Sequence, residues 1–239
     1  MSDESPLYFR QLLSGRDFAT HDMAARQMVN FVYLIGDRNT GKCLVVDPAW
    51  EPDDLIRIAA ADGMEIEGVL ATHYHPDHVG GDLWGTKVAG VSALLEKIAV
   101  KIHCQKDEEE WIVRQTGVAK TDLATHESGD VVKVGDIEVV LVHTPGHTPG
   151  SQCFLVDGKL IAGDTLFLEG CGRTDFPGGD AEQIYRSITE RLAKVPDDTM
   201  LYPGHLYSPA SHATMGETRR SNYVFKVPSV EEWTRMMPG

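Results

Sequence analysis

The chain has 239 residues, of which 42% are hydrophobic and 24% are charged, and its formal net charge is −14. This composition is typical of one globular domain, which we expect over residues 1–239. Because the surface is so acidic and Arg219-Arg220 is the sole adjacent basic pair, we expect no nucleic-acid binding. No apolar stretch is long enough to cross a bilayer and the acidic start has no secretory pattern, so we expect a cytoplasmic protein that binds no membrane.

Strands in pairs, interrupted by single helices, are predicted along the first part of the chain. Residues 28–35 and 43–46 are apolar and rich in β-formers, and the Gly, Asp and Asn residues between them predict a hairpin. A helix is predicted over residues 52–61, with acidic residues in its first turn. The mostly apolar run 66–71 then predicts a buried strand.

The second part of the chain repeats this pattern. A helix is predicted over residues 105–115, with the acidic run 107–110 as its solvated face, and a second helix over 181–195 begins at the N-cap Asp180. The predicted strands are residues 131–134, 137–142, 152–156, 159–162 and 199–201. Paired strands with intervening helices indicate layered sheets with helices outside.

Metal-ligand residue types cluster in His73-Tyr74-His75-Pro76-Asp77-His78, directly after the strand 66–71. Residues at i and i+2 of an extended segment point the same way, so His73 and His75 are predicted to face one metal position. Asp77 and His78 can address a neighbouring position. The four cysteines are far apart and form no CxxC pair, so a closed cysteine zinc site is not indicated.

Three further ligand candidates, His147, Asp164 and His205, follow later predicted strands and are flanked by Gly or Pro. A rigid strand that ends in a short loop is a good support for a functional side chain. Asp47, after the second strand, either supports the site from below or forms a plain turn. His21, His103, His126 and His212 are predicted to be surface or capping residues.

The motif HxHxDH followed by His147, Asp164 and His205 resembles the metallo-β-lactamase superfamily in order and spacing. The resemblance implies an α/β fold, the αββα sandwich, in which two sheets lie face to face with helices on both outer faces. It also implies a metal site at one edge of the sheets.

A second motif, Gly170-Cys171-Gly172-Arg173, narrows the resemblance to two glutathione-linked branches, the glyoxalase II hydrolases and the persulfide dioxygenases. The continuation Thr174-Asp175-Phe176 is similar to that of the persulfide dioxygenases. The tail 206–239 is short for the helical glutathione-binding domain of glyoxalase II. The resemblance therefore implies oxidation of glutathione persulfide, or a related small persulfide, by O₂ to sulfite and thiol, in sulfide detoxification.

For that activity the resemblance implies one Fe(II) per chain, held by His73, His147 and Asp164. Two imidazoles and one carboxylate on one face of iron leave the opposite positions open for persulfide and O₂. The remaining candidates would orient ligands and water through hydrogen bonds, and one of them, Asp77, would also relay protons. These supporting residues are His75, Asp77, His78 and His205. Arg173 and Tyr207 are the candidate substrate-binding residues.

A dinuclear zinc hydrolase of the glyoxalase II type, acting on a glutathione thioester, remains the alternative because every ligand for it is present. One zinc would be held by His73, His75 and His147, the other by Asp77, His78 and His205, with Asp164 bridging. The segment 83–130 is longer than a compact persulfide dioxygenase implies. It either covers the mouth of the metal site or contacts a second copy of the chain, as in a homodimer.

Overall fold

Fourteen strands build two six-stranded sheets and one small hairpin in the computed structural model, which describes residues 5–237. The strands in chain order are β1 Leu7–Leu13, β2 Phe31–Asp37, β3 Lys42–Val46, β4 Glu65–Leu70, β5 Gly81–Leu83, β6 Thr86–Val88, β7 Lys101–Gln105, β8 Leu123–His126, β9 Val131–Val134, β10 Ile137–His143, β11 Gln152–Val156, β12 Lys159–Gly163, β13 Met200–Pro203 and β14 Ala213–Thr214. The two large sheets follow each other along the chain: residues up to 126 form the first, and residues from 131 onward form the second.

Helices connect and cover these strands. They are α1 Met23–Met28, α2 Pro52–Ala61, α3 Pro76–Val79, α4 Val91–Leu95, α5 Glu109–Thr116, α6 Ala181–Arg186, α7 Met215–Ser221 and α8 Val230–Met236. Within residues 5–237, no helix combines the length and the apolar character that crossing a bilayer requires.

Each sheet mixes antiparallel hairpins with parallel pairs. The first has the order β1-β2-β3-β4-β7-β8, and β3, β4, β7 and β8 run parallel to one another. The second has the order β14-β13-β12-β11-β10-β9, with β12 and β13 parallel. Loops that leave the carboxyl ends of parallel strands meet at one edge of a sheet, which is where α/β proteins place their sites.

Three hydrophobic clusters separate the layers. The central cluster joins the inner faces of the two sheets and includes Tyr33, Leu70 and Phe154. A second cluster packs the first sheet against α2, α4 and α5, and a third packs the second sheet against α6, α7 and α8. Each large side chain buried in this way contributes about 1.5–3 kcal/mol. Four layers in the order helix, sheet, sheet, helix confirm the predicted αββα sandwich.

Most predicted elements are present, with shifted ends. The three predicted hairpins form, and α2 has the predicted bounds of residues 52–61. The first hairpin strand begins only at Phe31, because residues 23–28 form α1. Asp180 caps α6 as expected, by accepting from the Gln183 N–H at 2.9 Å, but the predicted helix over 181–195 continues as a π turn and then a 3₁₀ turn that ends at Lys194.

The predicted helix 105–115 also differs at its start. Gln105 is the last residue of β7, a 3₁₀ turn follows over Lys106–Glu108, and α5 continues to Thr116. The mixed sequence pattern predicts a frayed start up to about Pro6, and this stretch lies partly outside the described residues.

Candidate metal centre

Seven ligand-type side chains meet at one edge of the sandwich, where both sheets contribute loops. The loop after β4 carries His73 and His75, and α3, which begins at Pro76, carries Asp77 and His78. Proline suits the first turn of a helix because its missing N–H has no partner there. The loops after β10, β12 and β13 supply His147, Asp164 and His205.

Three imidazole nitrogens form the first ligand group. His75 Nδ1 lies 3.1 Å from His73 Nε2 and 2.9 Å from His147 Nε2. All three residues offer a nitrogen within 4.8 Å of the others. Three imidazole nitrogens this close can share one cation when none of them carries a proton.

The second group consists of one carboxylate and two imidazoles. His78 Nε2 and His205 Nε2 are 3.2 Å apart, and Asp77 Oδ2 lies 3.4 Å from His205 Nε2. Asn30 Nδ2 donates to the same Asp77 oxygen at 3.0 Å, which holds that carboxylate in place. All four side chains are buried.

Asp164 lies between the two groups. Its Oδ2 is 3.7 Å from His147 Nε2 and 3.3 Å from His205 Nε2, and its Oδ1 is 3.4 Å from His78 Nε2. Oδ1 is buried and has no hydrogen-bond partner among the described residues. An orphaned buried carboxylate oxygen is costly unless a cation or a donor meets it, so this donor set is suitable for bound metal.

The outer nitrogens of three histidines donate hydrogen bonds that turn their Nε2 atoms toward the centre. The acceptors are Arg173 O for His147 (2.6 Å), Met28 O for His205 (2.8 Å) and Asp47 Oδ2 for His78 (2.9 Å). Such partners fix the tautomer and the ring orientation of a metal-binding histidine.

Asp47 supports the site and is not a plain turn residue. Its two oxygens accept from the Thr72 N–H at 2.7 Å and from the Thr72 hydroxyl at 2.6 Å. Because that hydroxyl proton is committed to Asp47, the Thr72 oxygen accepts from His73 Nδ1 at 2.9 Å, which frees His73 Nε2 for the centre. Asp47, His73 and His78 also form a third group of close ligand atoms. The Nδ1 atoms of both histidines, however, already donate the hydrogen bonds just described.

The histidines of the first group are held neutral. Burial lowers the pKa of His75 to about 3, with His147 adding to the effect, and burial together with His78 lowers the pKa of His73 well below its usual value. A neutral imidazole with a free lone pair is the form that binds metal.

In the second group, by contrast, the surroundings favour the charged form of the side chains. Burial would lower the pKa of His78, but Asp77 and Asp164 raise it to about 10. Burial likewise opposes the ionisation of Asp164, yet His205 and His78 keep its pKa well below the usual range. The two carboxylates therefore require positive charge beside them, and a divalent cation supplies it when the histidines are neutral. His and Asp clusters of this kind are typical of the metal site in this fold.

Glu108 is the main functional residue that the sequence-based interpretation missed. The acidic run 107–110 was expected to be solvated, and for Glu108 this is wrong, because its side chain is 1% exposed. Its carboxylate accepts from the Tyr74 N–H, the Thr148 hydroxyl and the Gly150 N–H, at 2.7, 2.7 and 2.6 Å. No local signal singles it out: Glu108 ends the 3₁₀ turn before α5, and Asp107 and Glu109 lie four residues before an apolar residue just as Glu108 does.

The motif around Gly172 lies directly behind the ligands. The Gly172 N–H donates to Asp164 O at 2.8 Å, and a Cβ at Gly172 would lie 2.7 Å from His147 Nδ1. Only glycine allows the backbone this close. The residue after it, Arg173, is exposed, pairs with Asp175 and lies over the Phe176 ring at 4.6 Å.

Both candidate substrate residues line the cavity above the centre. This cavity has a volume of about 660 Å³. Arg173 borders one side, and Tyr207 stacks on His205 with ring centroids 4.6 Å apart while remaining 53% exposed. The cavity floor is lined by two of the predicted iron ligands, His147 and Asp164, and by the supporting residues His75, Asp77 and His205, whereas the third predicted iron ligand, His73, does not line the cavity.

The long segment 83–130 contributes one wall of this cavity. The side chains it supplies are Leu83, Trp84, Trp111, Arg114 and Gln115. This placement matches the interpretation in which the segment covers the mouth of the metal site.

Two other histidines differ from expectation. His103 and His126 were predicted to be surface or capping residues, but His103 Nδ1 lies 2.9 Å from His126 Nε2 across the parallel strands β7 and β8. The sequence separation of the two strands hid this pairing.

Comparison with known proteins identifies relatives of this chain in sequence and in structure. The profile of the metallo-beta-lactamase superfamily matches residues 26–205. Persulfide dioxygenase ETHE1 of Homo sapiens is 32% identical over 237 residues, covering 95% of this chain and 85% of that protein. A cytoplasmic hydroxyacylglutathione hydrolase of Arabidopsis thaliana is 37% identical over 186 residues, covering 75% and 64%.

Similarity also extends to a longer protein and to a solved structure. A beta-lactamase hydrolase-like protein of Agrobacterium fabrum is 31% identical over 224 residues, 85% of this chain, and the chain spans about half of that protein, 52%. The crystal structure of ETHE1 from Myxococcus xanthus superposes with a TM-score of 0.77 at 29% identity, covering 96% of this chain and 89% of that one.

Proposed function

This chain belongs to the metallo-beta-lactamase superfamily and is a metal-dependent enzyme of that family, and we propose that it is an Fe(II)-dependent persulfide dioxygenase. Its substrate is glutathione persulfide or a related small persulfide. Persulfide, O₂ and water give thiol and sulfite, with the outer sulfur oxidised and O₂ reduced.

The observation that carries the proposal is the extent of the similarity to persulfide dioxygenases. It runs over nearly the full length of both partners, in sequence and in structure, whereas the match with the plant hydrolase leaves a larger part of each protein uncovered. In this chain the tail forms α7 and α8, which pack into the outer hydrophobic cluster through Met215 and Trp233.

The residues His73, His147 and Asp164 would hold the iron. Bound there, Fe(II) would supply the electron transfer between persulfide sulfur and O₂. The hydrogen bond from His147 Nδ1 to Arg173 O then links a ligand directly to the substrate-binding segment, since the Arg173 guanidinium borders the cavity.

Asp77 is placed to accept a proton briefly and pass it on. Its Oδ2 is fixed by Asn30 and lies 3.4 Å from His205 Nε2, and the residue lines the cavity. Burial opposes its ionisation, but His78 and His205 lower its pKa, so the carboxylate is present as a base.

Arg173 and Phe176 line the side of the cavity that we assign to the substrate. Asp175 fixes the guanidinium through two contacts, at 2.9 and 2.5 Å, and Phe176 lies edge-on to the His75 ring, with centroids 5.2 Å apart. Phe176 thus places an apolar ring beside His75, and Arg173 places a fixed positive charge beside that ring.

A dinuclear zinc thioester hydrolase is the second candidate, and one observation favours it. The group of Asp77, His78 and His205 is complete, with Asp164 between it and the first group. In that case all seven residues would be ligands, and the metals would supply an activated hydroxide.

Anaerobic purification with metal quantification, followed by oxygen-electrode assays with glutathione persulfide, tests the proposal. We expect near one iron per chain, persulfide-dependent oxygen uptake and an equivalent release of sulfite. Two zinc ions per chain, hydrolysis of a glutathione thioester and no oxygen uptake would refute the dioxygenase and establish the alternative.

A further inference from the structure

One wall of the active-site cavity is a unit made of the β5–β6 hairpin and α5. Gln115 of α5 donates from Nε2 to the Asp82 carbonyl of the hairpin at 3.3 Å. The hairpin backbone at Gly81 lies so close to Gln115 that no side chain would fit there. Hairpin and helix therefore form one continuous surface at the cavity mouth.

Trp84 occupies the tip of that hairpin with an exposed side chain and an unfavourable backbone conformation. It is 78% exposed, and its φ of 51° is in the left-handed region, in the two-residue turn that it forms with Gly85. Such turns favour Asn, Asp or Gly at this position, and a bulky residue there is an outlier. Strained residues concentrate at ligand clamps, and Trp84 lines the active-site cavity.

A row of contacting rings leads from the metal centre to the same wall. Tyr74 lies against His75 with ring centroids 4.7 Å apart, and Trp111 stacks on Tyr74 at 5.0 Å. The guanidinium of Arg114 lies over the Trp111 ring at 5.4 Å. The row thus begins at a ligand of the first group and ends at a cation on the rim.

Arg114 differs from the other arginine of the cavity. Arg173 is paired with Asp175, whereas no ion pair among residues 5–237 involves Arg114, which is exposed. On a chain with a formal net charge of −14, an anionic substrate needs a local cation, and a guanidinium without a carboxylate partner supplies one.

We propose that Trp84, Trp111 and Arg114 form a distal subsite that binds the anionic end of the thiol-bearing substrate. The indole rings contact the apolar part of its arm, and the Arg114 guanidinium binds a terminal carboxylate or phosphate. The inference rests on the proposed function only in that the substrate releases a small thiol, which is equally true of the hydrolase.

Calorimetric titration of the metal-loaded protein with product thiols tests this subsite. Two matched pairs separate the sources of the anion: glutathione against its dimethyl ester, and 4′-phosphopantetheine against pantetheine. For one pair we expect the anionic member to bind about tenfold more tightly, and Arg114→Met to remove that preference. Arg57→Met, an exposed arginine of α2 outside the cavity, is the control and should retain it.

Trp84→Asn provides a second, independent measurement. Asparagine suits a left-handed turn, so the melting temperature should not fall, yet both members of the preferred pair should bind several-fold more weakly. The proposal is overturned if the native protein discriminates neither pair, if Arg114→Met keeps the full preference, or if Trp84→Asn binds like the native protein. Oxygen uptake measured on the same preparations reports separately on the dioxygenase, because thiol binding does not depend on it.

Discussion

The backbone N–H of Tyr74 donates to Glu108 Oε1 at 2.7 Å, and this bond fixes the chain between the ligands His73 and His75. The same carboxylate accepts from Thr148 and Gly150, which both lie in the loop that follows His147. One buried side chain from the start of α5 thus sets the distance between the loops that carry the first ligand group.

Glu108→Gln should weaken metal binding as well as the fold. The amide must present an NH₂ group to the Tyr74 or the Gly150 N–H, and a buried donor left without an acceptor costs about 2 kcal/mol. We expect that loss in urea unfolding and a lower metal content by elemental analysis. Glu110→Gln, at an exposed carboxylate two residues away, is the matched control and should change neither value. Full metal content in Glu108→Gln would contradict the positioning role.

Substituting one histidine from each ligand group distinguishes one metal from two. His147→Ala should abolish metal binding in either case, since this residue belongs to the first group. His205→Ala should leave iron occupancy largely intact if the site is mononuclear, and should halve the metal content if it is dinuclear. Loss of all iron in His205→Ala would refute the ligand assignment of His73, His147 and Asp164.

Gly172→Ala should lower metal content without unfolding the chain. The added methyl group would collide with the Asp164 carbonyl oxygen first and with His147 Nδ1 next, so one of these two ligand-bearing segments must shift. Gly129→Ala is a suitable control, because its φ of 95° imposes backbone strain while its Cβ would meet no atom within 4 Å. Metal content measured on both variants separates ligand displacement from strain, and equal losses would refute the close-approach argument.

His103 should make the chain sensitive to acid. Burial and the neighbouring His126 lower the pKa of His103 to about 4, and Gly68 on the other adjacent strand adds no charge. Because the unfolded chain takes up this proton near pH 6.5, stability is full above that value and is lost as the pH falls toward 4.

Compared with His103→Gln, the native chain should therefore lose about 2 kcal/mol of unfolding free energy between pH 7.5 and pH 4.5. Urea unfolding of both proteins at the two pH values measures the difference. A difference that does not change with pH would show that His103 is not buried as a neutral base.

The sequence was sufficient to predict the layers and to predict that the candidate ligands lie together at one edge, because both depend on local patterns. Alternating apolar residues and turn residues predict the hairpins, and ligand-type residues at strand ends predict a common edge. The capped start of the helix at Asp180 was predictable for the same reason, whereas its π-helical continuation over Ser187–Arg191, in which Ile188 is buried in the outer cluster, was not.

The supporting residues were harder to predict because their partners are distant in sequence. Glu108 contacts residues 34 and 40 positions away, and His103 contacts His126 across 23. In the acidic run 107–110 each carboxylate looks alike until the helix is docked. A role for Trp84 and Arg114, on the rim, can likewise be recognised only once the cavity that they border is known.

The division of the ligands between the two sheets has a consequence for how the protein assembles. His73, His75, Asp77 and His78 belong to the half of the chain that forms the first sheet, while His147, Asp164 and His205 belong to the half that forms the second. Neither the first nor the second ligand group is complete within one half, so tight metal uptake must follow docking of the two sheets. Metal retention is thus a direct measure of whether the two halves of a newly made chain have joined correctly.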